Sequence, residues 1–544
     1  MEAELEVAPA KAAWSFSLCE RTTAPPGAKS RSRAYGWYGN PRDPTGSAGW
    51  SPAGASGKGR PSPGAVSRSE VGLAHTIDEV AEGNEVTEKR GQLEGRPQER
   101  AKGQTQRWRP LLPHLLRVNA VARRAGQTRF TALLHHVDVA ALRRAFQRQR
   151  RGASPGVDRV TVDEYEQNLE DNLRRLHERV HSGQYWPKPV LRVYIPKADG
   201  GKRGLGLPAL EDKIVQSAVA EVLNAIYEAD FYGFSYGFRP GRSPHGALES
   251  LETALMTQRV NWVLDFDIHT FFDSLDHEWL VRMLEHRIAD RRIIRLIKRW
   301  LKAGVLESGE WAAVETGSPQ GSGISPILAN VFLHYAFDAW IHQWRKRHAD
   351  GQIVVVRYAD DGVIGAQYES DARRLLEALR ERLAKFGLRL NEGKTRLIEF
   401  GRFAARQRAR AGLRRPETFN FLGFTHYCGT TRSGKFIVKR KTQATRMARK
   451  LKELRVELRR RWHITVPEQH AWLSQVLRGH YGYYGLIFNH RAMNQFYDLV
   501  KRMWFKALKR RSQKSKMNWT KFDRLQLVFP LPRPTTHQSW YTAS

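Results

Sequence analysis

The stretch RYADDGVIGA, residues 357–366, sets Asp360 and Asp361 side by side between two apolar runs, IVVV before and GVIGA after. Two adjacent carboxylates repel each other, and withdrawing them from water is costly unless a cation lies beside them. An exposed turn tip is the ordinary place for such residues. A second acidic pair lies upstream in NWVLDFDI (261–268), where strand alternation puts Asp265 and Asp267 on one face, opposite Phe266 and Ile268. Taken alone, a strand-end aspartate is a cap more often than a ligand. Asp267 joined to Asp360 and Asp361 on neighbouring strands would form the hard oxygen site that Mg²⁺ prefers. Ions held there could activate an attacking 3′-hydroxyl and stabilise a leaving pyrophosphate in an in-line displacement.

The elements that must bring these groups together follow from periodicity. TVDEYEQNLEDNLRRLHERVH (161–181) predicts an amphipathic helix, and VLRVYIPK (190–197) a strand running into a Gly-rich turn, ADGGKRGLGLP. Helices are expected near 211–228, over 277–302, over 325–347 after the loop ETGSPQGSGISP, and over 370–386. IVVVRYADDGVIGA predicts two strands meeting at YADD. Strands and helices alternate without a regular βαβ count, so the expected class is α+β. Over 441–462, Met447, Leu451, Leu454, Leu458 and Trp462 recur at helical spacing, opposite a face dense in Lys and Arg.

Charge divides the chain unevenly. Its 544 residues carry a formal net charge of +35, yet residues 1–105 hold 14 basic and 13 acidic groups, whereas residues 401–544 hold 32 against 6. Such a block predicts a polyanionic partner, through neutralised phosphates and released counterions. A membrane surface fits less well, because no apolar run approaches the length of a spanning helix. The only cysteines, Cys19 and Cys428, exclude a disulfide framework or a Cys-based zinc module and suit a reducing compartment. The acidic start MEAELEVAPA shows no secretory signal, so a cytoplasmic location is expected. Residues 1–105, with 14 Gly and 9 Pro, are expected to be a disordered or non-functional extension, as a start codon set too far upstream would give.

In this order, DFDIHTFFDSLDH, PQGSGISPILANVFL, RYADDGVI, NEGKTRLIEF and FNFLGF resemble the palm motifs of reverse transcriptases, in the style of bacterial group II intron-encoded proteins. ASPGVD (153–158) and IPKADGGKRGLGLP (195–208) resemble that family's fingers motifs. VLRGHYGYYG (476–485), WFKALKRRSQ (504–513) and FPLPRP (529–534) resemble its maturase region, so the likeness spans roughly residues 107–535. It implies a right-hand polymerase followed by a helical thumb. The expected layout is an extension over 1–105, an N-terminal extension and fingers over 106–255, a palm over 256–425, a basic helical thumb or maturase region over 426–535, and a tail over 536–544. Relatives often carry a DNA-binding segment and an HNH endonuclease beyond that point; here no CxxC pair follows, which resembles the endonuclease-less type.

Residue by residue, the resemblance implies Asp267, Asp360 and Asp361 as ligands of Mg²⁺, with Ile268 beside them at the metal and the nucleotide. Asp265 and Asp273 remain rivals of Asp267, which is preferred because Ile268 follows it as in the family pattern. Phe272 matches a sugar gate against the ribose 2′-hydroxyl, with core packing the alternative for it and for Phe271. Gln320 would border the nucleotide sugar, and Lys197 and Arg203 would hold the triphosphate of a dNTP. Lys394 matches a lysine thought to protonate pyrophosphate, although a plain turn lysine is equally admissible. Tyr358 would pack near the primer end, or serve simply as a strand aromatic. Among the C-terminal cations stand Trp462, Trp472, Tyr481, Tyr483, Tyr484, Trp504 and Trp519, most of them expected in the core. Gly479 in the maturase motif is expected to be structural.

The implied activity is RNA-directed DNA polymerisation together with maturase assistance to splicing. Partners would be the intron RNA, a DNA primer or target and dNTPs, with a dimer left open. The alternatives are an RNA-binding splicing factor without polymerase activity, and a domesticated reverse transcriptase.

Overall fold

A computed structural model describes residues 113–196, 202–307, 309–313, 315–318, 321–511 and 514–536; the side chains of Pro196, Lys202 and Arg203 are outside it. The extension expected over 1–105 and most of the tail lie outside the described residues.

The fold is α+β. Helices Pro113–Arg124 and Val139–Gln147 pack on the long buried helix Leu210–Tyr227, whose Ile214, Val215, Val219, Leu223 and Ile226 are all in the core. The helix expected over 161–181 is two, Val162–Glu166 and Leu169–Ser182, and a Thr161–Glu164 capping box fixes the start of the first. Strands β1 (Val190–Pro196) and β2 (Lys202–Leu207) form an antiparallel ribbon, continued by β4 (Val305–Glu307) and β5 (Glu310–Ala312) in the order β2-β1-β4-β5. KRGLGL was expected as a turn. It is a strand because its backbone pairs with β1 from Leu207 opposite Leu191 onward, a long-range match that local composition does not signal.

The central sheet has the order β6-β7-β3-β8, built from β3 (Trp262–Asp267), β6 (Ile353–Tyr358), β7 (Asp361–Ala366) and β8 (Arg396–Glu399), all antiparallel. Against it pack Ser325–Leu333, Ala339–Arg347 and Glu369–Ala384, joined to one large core that holds Phe266, Phe271, Phe332 and Phe337. The helix expected over 277–302 is broken: His277–Glu285 and Arg291–Leu301 flank Asp290. Against its own burial, that carboxylate is held below the ordinary Asp range, at about 2, first by the Arg292 guanidinium and then by hydrogen bonds it accepts from the backbone N–H groups of Leu133, Leu134 and Arg292.

Beyond β9 (Phe419–Phe421), the hairpin β10 (Phe424–Thr430) and β11 (Phe436–Thr442) leads into the helices Ala444–Arg460, Val466–Tyr484, His490–Lys509 and Trp519–Val528. Met447, Leu454, Leu458, Tyr481 and Trp504 form their shared core. Trp462, expected on the packed stripe, lies past the end of its helix and is 48% exposed, because that helix stops at Arg460. Trp519 is exposed as well.

His426 on β10 is fully buried, stacked on Phe419 at 4.8 Å, and pushed down to about 3 by burial and then by the Arg440 guanidinium. A histidine depressed in the folded state contributes stability above its unfolded value that is lost as pH falls below it. The expected result is acid destabilisation setting in below about pH 6.5. In His426→Phe that pH dependence should be weaker in denaturant melts at pH 5 and 7.

Candidate active site

Antiparallel pairing of β3 with β7 sets Asp267 directly opposite Asp361, on one face, while Asp265 faces Val363 on β7 and Arg396 on β8. Paired side chains of this kind have Cβ atoms about 5 Å apart. Asp360 is the second residue of the two-residue link between β6 and β7, since Tyr358 pairs with Asp361. Asp267, distant in sequence, therefore lies at the same end of the central sheet as the adjacent pair Asp360 and Asp361. Asp361 is pushed well above the ordinary carboxylate range by burial first, then by Asp360, Asp267 and Asp265. Asp265 is raised to about 7 by burial, with Arg396 opposing and Asp267 adding. Asp273 is exposed, on the short turn Phe271–Asp273, away from the sheet pairing. Register thus puts Asp267, not Asp265, directly opposite Asp361.

Asp267 is held. Its Oδ2 accepts from Lys394 Nζ at 2.7 Å and from Asn391 Nδ2 at 3.1 Å, and its carbonyl accepts Asn391 N–H at 2.8 Å. Among the described residues, no three His, Cys, Asp or Glu side chains stand close enough to hold an ion as they are. Lys394 Nζ thus takes up the Asp267 Oδ2 oxygen. The donor set nevertheless fits a hard divalent cation: hard oxygens only, crowded and mutually repelling, with one lysine as the cation shown beside them.

The link that presents Asp360 is strained and braced. Ala359 has φ +58°, a left-handed conformation that costs a non-glycine residue on the order of 1 kcal/mol. Its carbonyl accepts Arg357 Nη1 at 2.8 Å. Arg357 is fully buried and forks onto Asp338, Nε to Oδ1 at 2.7 Å and Nη2 to Oδ2 at 2.5 Å, while Nη2 also reaches Ser235 Oγ at 2.7 Å. Gly237 closes the other side: a Cβ there would collide with the Ala359 backbone. On the sheet, the Phe266 ring lies over Gly362, where any Cβ would collide with it. Sequence reasoning missed Arg357, Asp338 and Gly362. Only the basic residue inside an apolar strand hinted at the first.

Phe271 is 2% exposed and packs against Phe332. Phe272 is half-buried, with Phe238 edge-on at 6.3 Å, and its carbonyl accepts Ser318 N–H at 2.8 Å. Phe271 is therefore core, while Phe272 is half-buried and packs partly against the same core. Gln320 and Lys197 lie outside the described residues, as does the side chain of Arg203. Ser318 N–H is bonded to the Phe272 carbonyl, and a Cβ at Gly321 would collide with the carbonyl of Gly206 on β2. Ile268 is buried at 2% exposure, so only its main chain could face an ion. Tyr358 is half-buried and packs against a second core that holds Val263, Val356, Val363 and Phe400. If Phe272 is the gate, Phe272→Val should incorporate ribonucleotides at least about tenfold more readily, since a steric clash is removed. Misincorporation assays with each rNTP check this, and the same gain in Phe271→Val instead would move the gate by one residue.

Comparison with known proteins agrees with this geometry. Residues 195–426 match the family described as reverse transcriptase (RNA-dependent DNA polymerase). The chain is 34% identical over 300 residues to Protein YkfC of Escherichia coli K12, covering 48% of this chain and 78% of that protein. It is 39% identical over 166 residues to the group II intron-encoded protein LtrA of Lactococcus lactis subsp. cremoris, covering 30% of this chain and 27% of LtrA. An uncharacterised 91 kDa protein in the cob intron of Schizosaccharomyces pombe is 42% identical over 164 residues, covering 30% and 20%. The matched segment thus spans about a quarter of LtrA and a fifth of the S. pombe protein. The aspartates, their register and these relatives converge: the chain belongs to the reverse transcriptase family.

Proposed function

We propose that this protein is an RNA-directed DNA polymerase that also grips the RNA of the intron encoding it, assisting splicing and copying the intron during mobility. The observation that carries the reading is the register of β3 on β7, which sets Asp267 opposite Asp361 beside Asp360. Asp267, Asp360 and Asp361, with the main-chain carbonyl of Ile268, would hold Mg²⁺. Bound there, the ion would supply Lewis-acid stabilisation of charge at the attacking and leaving oxygens. The remaining chemistry belongs to the chain. Phe272 bars a ribose 2′-hydroxyl, and Gln320 borders the nucleotide sugar in this reading. Lys197 and Arg203, as triphosphate ligands, complete the dNTP site in this reading. Lys394 Nζ lies 2.7 Å from Asp267 Oδ2, within the site, where it can serve as general acid to pyrophosphate.

The maturase part rests on the C-terminal charge, 32 basic against 6 acidic residues over 401–544, and on likeness to an intron-encoded protein. Folded RNA offers phosphates over a broad surface and is recognised largely by shape. The test is primer extension on an RNA template with dNTPs and Mg²⁺, comparing wild type with Asp360→Asn. Extension by wild type alone is expected. Failure of the wild type would leave an RNA-binding splicing factor as the better reading.

A further inference from the structure

Between β8 and β9 the chain leaves the central sheet as a projecting segment, Gly401 to Thr418, that includes the short helix Ala404–Arg410. Its feet are fixed. Phe400 and Phe419 are both buried with rings edge-on at 5.0 Å, Arg396 Nη2 donates to Thr418 O at 2.8 Å, and Gly401 sits so tightly on Val260 that a Cβ would collide with its carbonyl. Ala404 is buried at the base and Arg408 leans toward Glu417, 4.0 Å away. The rest is in water.

That projection holds six arginines, Arg402, Arg406, Arg408, Arg410, Arg414 and Arg415, against one acid, Glu417. All but Arg408 are exposed, and among the described residues those five form no ion pair. Uncompensated guanidinium groups at this density repel one another, so the projection lowers its energy by meeting a polyanion. A guanidinium offers phosphate oxygens a planar fork. Its position separates it from the polymerase site. Glu399 at the end of β8 pairs with Trp262 at the start of β3, whereas Asp267 ends β3. A strand of that length puts the projection roughly 20 Å from the carboxylates, at the opposite end of the sheet. It is also separate in sequence from the helices over 444–528 that carry most of the C-terminal cations.

We infer that the 402–415 projection is a second docking surface for the phosphate backbone of folded RNA, set apart from the template-primer site. The inference rests on the proposal that this chain handles RNA, because that supplies the folded polyanion. The test uses the full chain and an RNA hairpin of ~30 base pairs, with binding measured from ~50 to ~300 mM KCl. Arg406→Gln/Arg410→Gln/Arg414→Gln is expected to lower the slope of log affinity against log salt by about 2–3, and affinity near 0.15 M by on the order of 10²-fold. Its melting curve should be unchanged, since the three side chains are exposed and outside any described ion pair. If that variant melts early, Arg414→Gln alone, on the loop after the helix, should still lower the slope by about 0.7–0.9. A variant slope equal to wild type overturns the inference, as does equal competition by a DNA duplex of the same length. A wild type that shows no salt-dependent binding would instead sink the RNA-handling proposal itself.

Discussion

Asp361→Asn should abolish primer extension, by about 10³-fold or more, while making the protein harder to melt in EDTA. The loss of activity follows from removing a charged ligand at the point where transition-state charge is stabilised. The gain in stability follows from the electrostatics of the site. Burial and three nearby carboxylates push Asp361 far above its ordinary range, so its ionised form destabilises the fold when no cation is bound. The sign is fixed by linkage. A group raised on folding holds a proton that the unfolded chain has released, so wild-type stability falls as pH rises above about 4, the unfolded value. The neutral amide removes that loss, and the gap between variant and wild type should widen from acid toward neutral pH. Melts at pH 5 and 8 in EDTA, alongside extension assays, read both effects. A variant that is inactive because it is less stable would show Asp361 to be scaffold.

The second large effect is expected at Arg357. Arg357→Met leaves Asp338, itself 0% exposed, as an uncompensated buried charge, which costs about 3–5 kcal/mol. It also releases the Ala359 carbonyl and with it the strained link that presents Asp360. Arg357→Met/Asp338→Leu removes both charges and should recover most of the stability, because well-packed apolar replacements for a buried ion pair are often neutral. Activity should not return with it, since the Ala359 carbonyl has still lost its Arg357 donor. Denaturant melts and extension rates on the single and double variants separate the two contributions. Recovery of both stability and activity in the double variant would reduce Arg357 to a packing role. Arg357→Lys keeps the charge but loses the fork, and should fall between wild type and Arg357→Met.

What the sequence made legible was the chemistry and its strands. The acidic spacing in VLDFDI and YADD, with period-two alternation, placed Asp265 and Asp267 on one face and identified the hairpin that carries Asp360 and Asp361. Alternation alone did not separate Asp265 from Asp267, and the preference for Asp267 came from the resemblance; which residue lies opposite Asp361 is cross-strand register, which is long-range information. The same reason hid β2, whose glycines signal a turn locally but which pairs along β1. Arg357 was invisible as an anchor because Asp338 and Ser235, its partners, come from distant elements. Asp290, which breaks a helix pattern that looks continuous, does so through bonds to Leu133 and Leu134. Helix spacing likewise could not show that the helix ends before Trp462.

The claim that these three aspartates form a divalent-cation cage is tested most directly by thermal unfolding of the full chain titrated with Mg²⁺ at neutral pH. Preferential binding to the folded state stabilises by about 2.7 kcal/mol at a hundredfold excess over Kd, a shift of several degrees. Wild type should shift saturably, and Asp267→Asn and Asp361→Asn should shift little or not at all. An equal Mg²⁺ shift in all three proteins would contradict the account.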